Sequence, residues 1–148
     1  MFRLNAGLPS SAQPLGGWEQ PANELRGHFM GHYLSACALL GGGSGDAELA
    51  ARGEALVLAL AKCQQARGNG YLSAFPEEFF DRLREGRRVW APFYTLHKVM
   101  AGLLDMHRLC GSQTALEVLE RMAEWTRRFV DPLGDAHMAR LLESNTAG

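Results

Sequence analysis

Two stretches of this chain repeat one plan, and this repeat constrains the fold more than any other feature. Each stretch contains an apolar helix, a tight glycine turn and a second helix, first over residues 32–65 and again over residues 97–129. His32 and His97 are 65 residues apart, and the turn glycines Gly45 and Gly111 are 66 residues apart. Repeated helical hairpins are typical of α-solenoids and closed α/α toroids. We therefore predict an all-α fold built from helical hairpins.

Glycine, proline and helix-capping residues divide the chain into five parts. These are a lead-in over 1–22, a first hairpin over 23–65, a long connection over 66–92, a second hairpin over 93–130 and the start of a third over 131–148. Asn23 and Asp46 are predicted N-caps of the first two helices, and the first of these helices is predicted to end near Leu40. The lead-in is rich in glycine and proline, so an extended or looped conformation is expected there. A short helix is expected near residues 76–84 of the connection.

Composition and charge exclude several kinds of partner. Apolar residues make up 47% of the chain and charged residues 21%, as in ordinary soluble globular proteins. The formal net charge is -1, with no long run of either sign, so neither nucleic acid nor an anionic membrane is an expected partner. No apolar stretch reaches the ~20 residues that a membrane-spanning helix needs. The first residues do not have the pattern of a signal peptide, and the compartment stays open.

The residues that could bind a metal do not form a recognisable motif. Cys37, Cys63 and Cys110 are far apart and odd in number, which fits neither a disulfide framework nor a CxxC zinc site. Each lies in a predicted helix, where a free cysteine behaves as a small buried hydrophobe. His28 and His32 share a helix face, but zinc would need further ligands, and no HExxH glutamate lies between them. No metal ligand is therefore assigned.

Binding residues are expected at one end of the helices, which we call the loop face. The short glycine turns close the opposite end, whereas the long segments lead into the first helix of each hairpin at the loop face. His28 and His32 lie there, and His97 takes the place of His32 in the second hairpin. A single histidine on an apolar helix face is usually structural. Two at equivalent repeat positions favour a pocket, with imidazoles directed toward a shared axis.

Aromatic and acidic side chains at the loop face are more ambiguous. Trp18 and Tyr94 could stack on a sugar ring, although core packing explains each of them equally well. Glycoside hydrolysis needs two positioned carboxylates, and no pair stands out among the 16 acidic residues. Glu19 and Glu24 lie on the loop face, but Glu24 also suits an ordinary helix start. No catalytic residue is assigned.

Four ordered motifs resemble the β-L-arabinofuranosidase family, which is glycoside hydrolase family 127 with its close relative family 146. The motifs are QPLGGWE at 13–19, ELRGHFMGHYLSA at 24–36, GNGYLSAFP at 68–76 and WAPFYTLHK at 90–98. The resemblance covers residues 2–142. It implies an (α/α)6 barrel, of which this chain is the N-terminal part. It also implies L-arabinofuranosides of plant glycans as substrates.

The resemblance also implies a particular chemistry. The family uses a cysteine nucleophile on a zinc ion held by further cysteines and a glutamate, with a second glutamate as acid/base. Those residues belong to later motifs, including Cys-Cys-Pro-Pro, and this chain contains no such stretch. No cofactor is therefore expected in this chain. What the resemblance does carry over is the wall of a sugar pocket, with His97 as the first candidate and His32 and His28 after it.

A six-hairpin barrel needs roughly 300 residues, taking two helices and their loops for each hairpin. This chain is therefore expected to supply two hairpins and the start of a third, and to expose apolar flanks. Self-association, or association with the remainder of the catalytic domain, is the expected consequence. The sequence predicts an enzyme fragment that is inactive alone. The alternative is a non-catalytic helical module that binds carbohydrate or another protein.

Overall fold

The computed structural model describes residues 1–143, and every regular element in that range is a helix. The α-helices are α1 (Phe2–Asn5), α2 (His28–Ser44), α3 (Ala47–Arg67), α4 (Glu78–Arg84), α5 (Pro92–Cys110), α6 (Gln113–Val130) and α7 (Gly134–Glu143). Single 3-10 turns cover Gly17–Glu19 and Asp131–Leu133. The all-α prediction is confirmed for these residues. The last five positions of the predicted third hairpin lie outside the described residues.

Helices α2 and α5 are in close contact because glycines stand where they meet. A Cβ on Gly102 would lie 2.5 Å from the carbonyl oxygen of Gly31, and a Cβ on Gly31 would overlap the backbone carbonyl of Lys98. A Cβ on Gly42 would likewise overlap the carbonyl of Leu109. Only a residue without a side chain allows two helix backbones to approach this closely. The first helices of the two hairpins are thereby fixed side by side.

Helices α3 and α6 complete the two hairpins and pack against one side of this pair. Asp46 caps α3 by accepting hydrogen bonds from the backbone N–H groups of Glu48 and Leu49, as the sequence predicts. The buried Gln64 of α3 donates to the carbonyl of Val118 in α6 at 3.0 Å. The apolar face of α6 is buried and contributes Val118, Met122, Trp125 and Phe129 to the core.

The predicted start of the first long helix at Asn23 is wrong, because residues 21–27 form turns and α2 begins at His28. The Asn23 side chain instead accepts a hydrogen bond from the backbone N–H of Leu25 at 2.8 Å. Gly27 then takes a left-handed φ of 101°, and a Cβ there would lie 2.7 Å from that of Ala74. The helix also continues past Leu40 to Ser44, and Gly45 ends it with a φ of 76°.

The lead-in differs from the sequence expectation, whereas the exposed apolar flank on α2 agrees with it. The lead-in is not wholly extended, since it contains α1 and the 3-10 turn. Helix α2 has an uncovered apolar side among the described residues, where Phe29, Leu39 and Leu40 are each at least 50% exposed. Within residues 1–143, no helix is both long enough and apolar enough to cross a membrane.

Candidate functional site

Four of the predicted binding residues meet at the loop face, around the first turn of α2. His28 is central: its ring centroid lies 6.1 Å from that of Trp18, 5.9 Å from that of His32 and 6.1 Å from that of Tyr94. We call these four side chains the imidazole cluster. His28 is 9% exposed, whereas Trp18 is 64% exposed. The cluster therefore has a buried centre and an accessible aromatic rim.

Glu19 holds His28 and the start of α2 in place. Its Oε2 accepts a hydrogen bond from the backbone N–H of Gly27 at 2.6 Å, and its Oε1 accepts one from that of Phe29 at 2.9 Å. The same Oε1 lies 2.8 Å from Nδ1 of His28. Gly27 has no side chain with which to cap the helix, so Glu19 satisfies its first N–H groups from outside.

The tautomer of His28 follows from these contacts. Its Nδ1 faces Glu19 Oε1 and also the carbonyl oxygen of Leu25, at 3.0 Å. Both partners are acceptors, so Nδ1 carries a proton. In the neutral ring Nε2 is then the acceptor, because a hydrogen bond at one ring nitrogen determines the role of the other. His28 can thus accept a hydrogen bond from a hydroxyl group at Nε2.

His32 and Tyr94 form the second half of the cluster, and Lys98 lies behind them. The Tyr94 hydroxyl is 3.4 Å from Nε2 of His32, and the Lys98 ammonium lies 5.0 Å from the centroid of the Tyr94 ring. Desolvation by the surrounding protein lowers the pKa of His32 below its usual value, and the positive charge of Lys98 lowers it further. His32 is therefore neutral near pH 7 and can exchange hydrogen bonds with hydroxyl groups.

His97 does not lie in the imidazole cluster. It is exposed and lines a separate, mainly apolar groove of about 460 Å³ with Phe93, Met100 and Leu104. His97 therefore lies on the side of α5 that carries these apolar residues. The repeat places His32 and His97 at equivalent positions in the sequence without bringing their imidazoles together.

The sequence predictions missed the supporting residues of the cluster. Lys98 had a usable signal, because it follows Tyr94 by four residues on the same helix. Glu19 was noted on the loop face but had no assigned role, since its contact with His28 depends on the turns between them. Glu24 is predicted to suit an ordinary helix start. It instead accepts a hydrogen bond from the backbone N–H of Trp90 at 2.7 Å and pairs with Arg82 at 2.9 Å.

The described residues do not fit a zinc site. Cys37 and Cys63 are buried at separate places in the core, and Cys110 is half-buried. Burial raises the pKa of the Cys63 thiol, which disfavours the thiolate that zinc requires. No three histidine, cysteine, aspartate or glutamate side chains within the described residues are grouped to hold a metal ion.

The fold places the chain among all-α proteins built from helical hairpins. A family model described as β-L-arabinofuranosidase, GH127 catalytic domain, matches residues 1–148. The chain therefore belongs to the GH127 β-L-arabinofuranosidase catalytic domain family. A search of curated proteins found no match.

Proposed function

We propose that this chain supplies part of the arabinofuranoside-binding pocket of a GH127 catalytic domain, and that the imidazole cluster forms the wall of that pocket. The observation that carries the proposal is the convergence of Trp18, His28, His32 and Tyr94 at the loop face. Membership of the family supports L-arabinofuranosides as the ligands. In this proposal the two hairpins are part of an (α/α)6 barrel.

Each member of the cluster has a chemically distinct task in this proposal. Nε2 of His28, fixed as an acceptor by Glu19, receives a hydrogen bond from a sugar hydroxyl. The neutral His32 and the Tyr94 hydroxyl can each donate or accept. The exposed ring of Trp18 offers an apolar face to the C–H groups of the sugar. These groups bind and orient a sugar without forming a covalent bond to it.

The chain is proposed not to hydrolyse glycosides alone. Its sequence contains no Cys-Cys-Pro-Pro stretch, and its described residues hold no metal-ligand group. The nucleophile, the acid/base and the zinc site are therefore assigned to residues other than these 148. Release of an aryl group from an aryl β-L-arabinofuranoside by the purified chain would overturn this part of the proposal.

A binding titration tests the pocket itself. Methyl β-L-arabinofuranoside is titrated into the chain and followed by NMR, with methyl β-D-glucopyranoside as the control sugar. We expect saturable binding of the arabinoside, weakened by about two- to tenfold in His32→Ala, because one hydrogen bond to a sugar hydroxyl contributes about 0.5–1.5 kcal/mol. His107→Ala, at the opposite end of α5, is the matched control and should bind normally. Equal binding by the two variants would contradict the proposal.

Only the family resemblance supports a sugar contact by His97, so this residue is tested separately. Since His97 lies in the apolar groove, His97→Ala reports whether the ligand reaches beyond the imidazole cluster. Weaker arabinoside binding by this variant is expected if the pocket extends along α5. Unchanged binding would restrict the sugar contacts to the cluster.

The apolar groove favours a second candidate function, which is protein interaction. Leu104 in the groove is 38% exposed, and Phe29 on α2 is 51% exposed. Unpaired edges of stacked helical hairpins associate with further hairpins. We expect light scattering to show self-association, or binding to the remainder of the catalytic domain, and Leu104→Glu to abolish it. A monodisperse monomer that does not bind that remainder would contradict this second function.

A further inference from the structure

A cleft of about 520 Å³ lies between the turn that follows α4 and helix α7. We call it the arginine cleft, and its polar lining consists of Arg84, Glu85, Arg87, Arg88, His137 and Arg140. Four arginines thus face one carboxylate, in a chain whose formal net charge is -1. Such a concentration of one sign in a concave surface raises the local density of counter-ions. The cleft is suited to an anion.

The arginines of this cleft are only partly neutralised by the protein. Arg87 pairs with Glu85 at 2.5 Å, and Arg84 lies 3.5 Å from Asp81, with all four side chains at least half exposed. Exposed pairs of this kind are weak and screened by water. Arg88 and Arg140 have no carboxylate partner among the described residues. Two guanidinium groups are therefore available to an external anion.

Hydrogen bonds hold the backbone of the turn that carries Arg87 and Arg88. Gly86 has a φ of 73° and donates its N–H to the carbonyl of Leu83 at 2.9 Å. Arg87 donates its N–H to the carbonyl of Arg82 at 2.8 Å, which completes a Schellman motif at the end of α4. The Arg82 side chain also donates to the carbonyl of Arg88 at 2.8 Å. A fixed turn reduces the entropy lost when its side chains bind a ligand.

The arginine cleft lies at the loop face, as does the imidazole cluster. The turn after α4 leads into the start of α5, and α7 follows the end of α6. The end of α6 lies beside the start of α5, since the ring centroids of Phe129 and Phe93 are 6.0 Å apart. Glu24 links the two regions, since it precedes α2 and contacts both Arg82 and the backbone of Trp90. Both sites therefore lie at the same end of the helices.

We infer that the arginine cleft binds carboxylate groups of an acidic glycan, that is, a glycan containing uronic acid units. This inference rests on the proposed function, which makes a glycan the ligand at the loop face. The carboxylate of a uronic acid is the ionised group that sugar units themselves carry. Planar guanidinium groups bind planar carboxylates through two parallel hydrogen bonds. Inorganic phosphate is also an anion that guanidinium groups bind, so the test must distinguish phosphate from a uronic acid carboxylate.

The test is calorimetric titration of the full chain at low ionic strength. The probes are tetragalacturonate, neutral galactotetraose and inorganic phosphate. We expect saturable binding of tetragalacturonate, at least tenfold stronger than binding of either other probe and weakened by added salt. The double variant Arg88→Gln/Arg140→Gln should bind at least tenfold more weakly. Arg108→Gln, an exposed arginine at the other end of α5, is the matched control and should stay within twofold.

Three outcomes would overturn the inference: equal affinity for galactotetraose, equal affinity for phosphate, or unchanged binding by the double variant. The thermal midpoint of each variant, measured in parallel, shows that it is folded, which the exposure of both arginines leads us to expect. Titration with methyl β-L-arabinofuranoside separates this inference from the proposed function. Binding of the arabinoside without binding of tetragalacturonate overturns the arginine cleft alone, and binding of neither overturns both.

Discussion

Oε1 of Glu19 lies 2.8 Å from Nδ1 of His28, and through this contact one carboxylate both starts helix α2 and orients the central ring of the imidazole cluster. The two side chains are largely buried, with 17% of the Glu19 side chain and 11% of the His28 side chain exposed. The stability of the helix end and the hydrogen-bonding role of His28 are therefore coupled. A change in Glu19 should affect both.

Glu19→Gln tests this coupling. An amide has one acceptor oxygen where the carboxylate has two, so at least one N–H of α2 or His28 loses its partner. We expect the free energy of unfolding to fall by about 1–3 kcal/mol. We also expect the imidazole nitrogen shifts of His28 to move toward a mixture of tautomers. Glu48→Gln, at an exposed position in the first turn of α3, is the control and should change stability by less than about 0.5 kcal/mol. A stable variant with an unchanged His28 tautomer would contradict the assigned role.

Two glycines of α2 should respond in opposite ways to the same substitution. In Gly31→Ala the new methyl group would overlap the backbone carbonyl of Lys98, which cannot rotate away as a side chain can. We expect a loss of about 2 kcal/mol or more as α2 and α5 separate. In Gly43→Ala the methyl group meets nothing within 4 Å, so the higher helix propensity of alanine should add about 0.5–1 kcal/mol. Denaturant unfolding of the two variants measures both effects. Equal changes in their free energies of unfolding would contradict the close contact between α2 and α5.

Glu77 should make the stability depend on pH. Burial raises the pKa of this carboxylate, but hydrogen bonds from Trp125, Asn69 and Arg67 outweigh it and hold the pKa below its ordinary value. Their donor atoms lie 2.8, 2.8 and 3.0 Å from the carboxylate oxygens. The folded state therefore binds this proton less readily than the unfolded state. The resulting stabilisation is full above the unfolded-state pKa and is lost as the pH falls through the folded-state pKa.

Glu77→Gln should accordingly cost about 1–3 kcal/mol at pH 7, and much less below about pH 4. Urea unfolding across this pH range gives the difference in the free energy of unfolding between wild type and variant. Glu78→Gln, which changes the adjacent and exposed carboxylate, is the control. Its free energy of unfolding should stay close to that of the wild type at every pH. A Glu77 effect that does not depend on pH would mean that its charge is not involved.

Lys98→Met should raise the pKa of His32. Burial is the largest cause of the low pKa, and the Lys98 ammonium is the second, so removing that charge recovers part of the shift. Proton NMR titration of the His32 ring measures it directly. Lys62→Met, an exposed lysine of α3, is the control and should leave the titration unchanged. Because the folded state disfavours protonated His32, its contribution to stability is lost as the pH falls below the unfolded-state value near 6.5. If the pKa of His32 were the same in Lys98→Met as in the wild type, the Lys98 ammonium would not be close enough to affect His32.

Much of the helical structure follows from local sequence signals. Asp46 caps α3, Pro92 begins α5, and Gly111 ends it, as their chemistry predicts. The first turn of α2 was mispredicted because its cap is Glu19, which is distant in sequence, rather than the neighbouring Asn23. A local signal cannot report a partner that only the folded turn brings near.

By itself, the sequence determined the all-α class, the repeat of two hairpins and the loop face where the candidate binding residues lie, because these depend on periodicity and on turn residues close together in the chain. The tertiary structure decided which loop-face residues meet. It joined Trp18, His28, His32 and Tyr94 around the carboxylate of Glu19 and left His97 in a separate groove. There are two physical reasons. The first is the direction around the helix axis in which each side chain points, and the second is the close approach of α2 and α5 that their glycines allow. Both depend on packing between helices. Equivalent positions in the sequence repeat do not predict that packing.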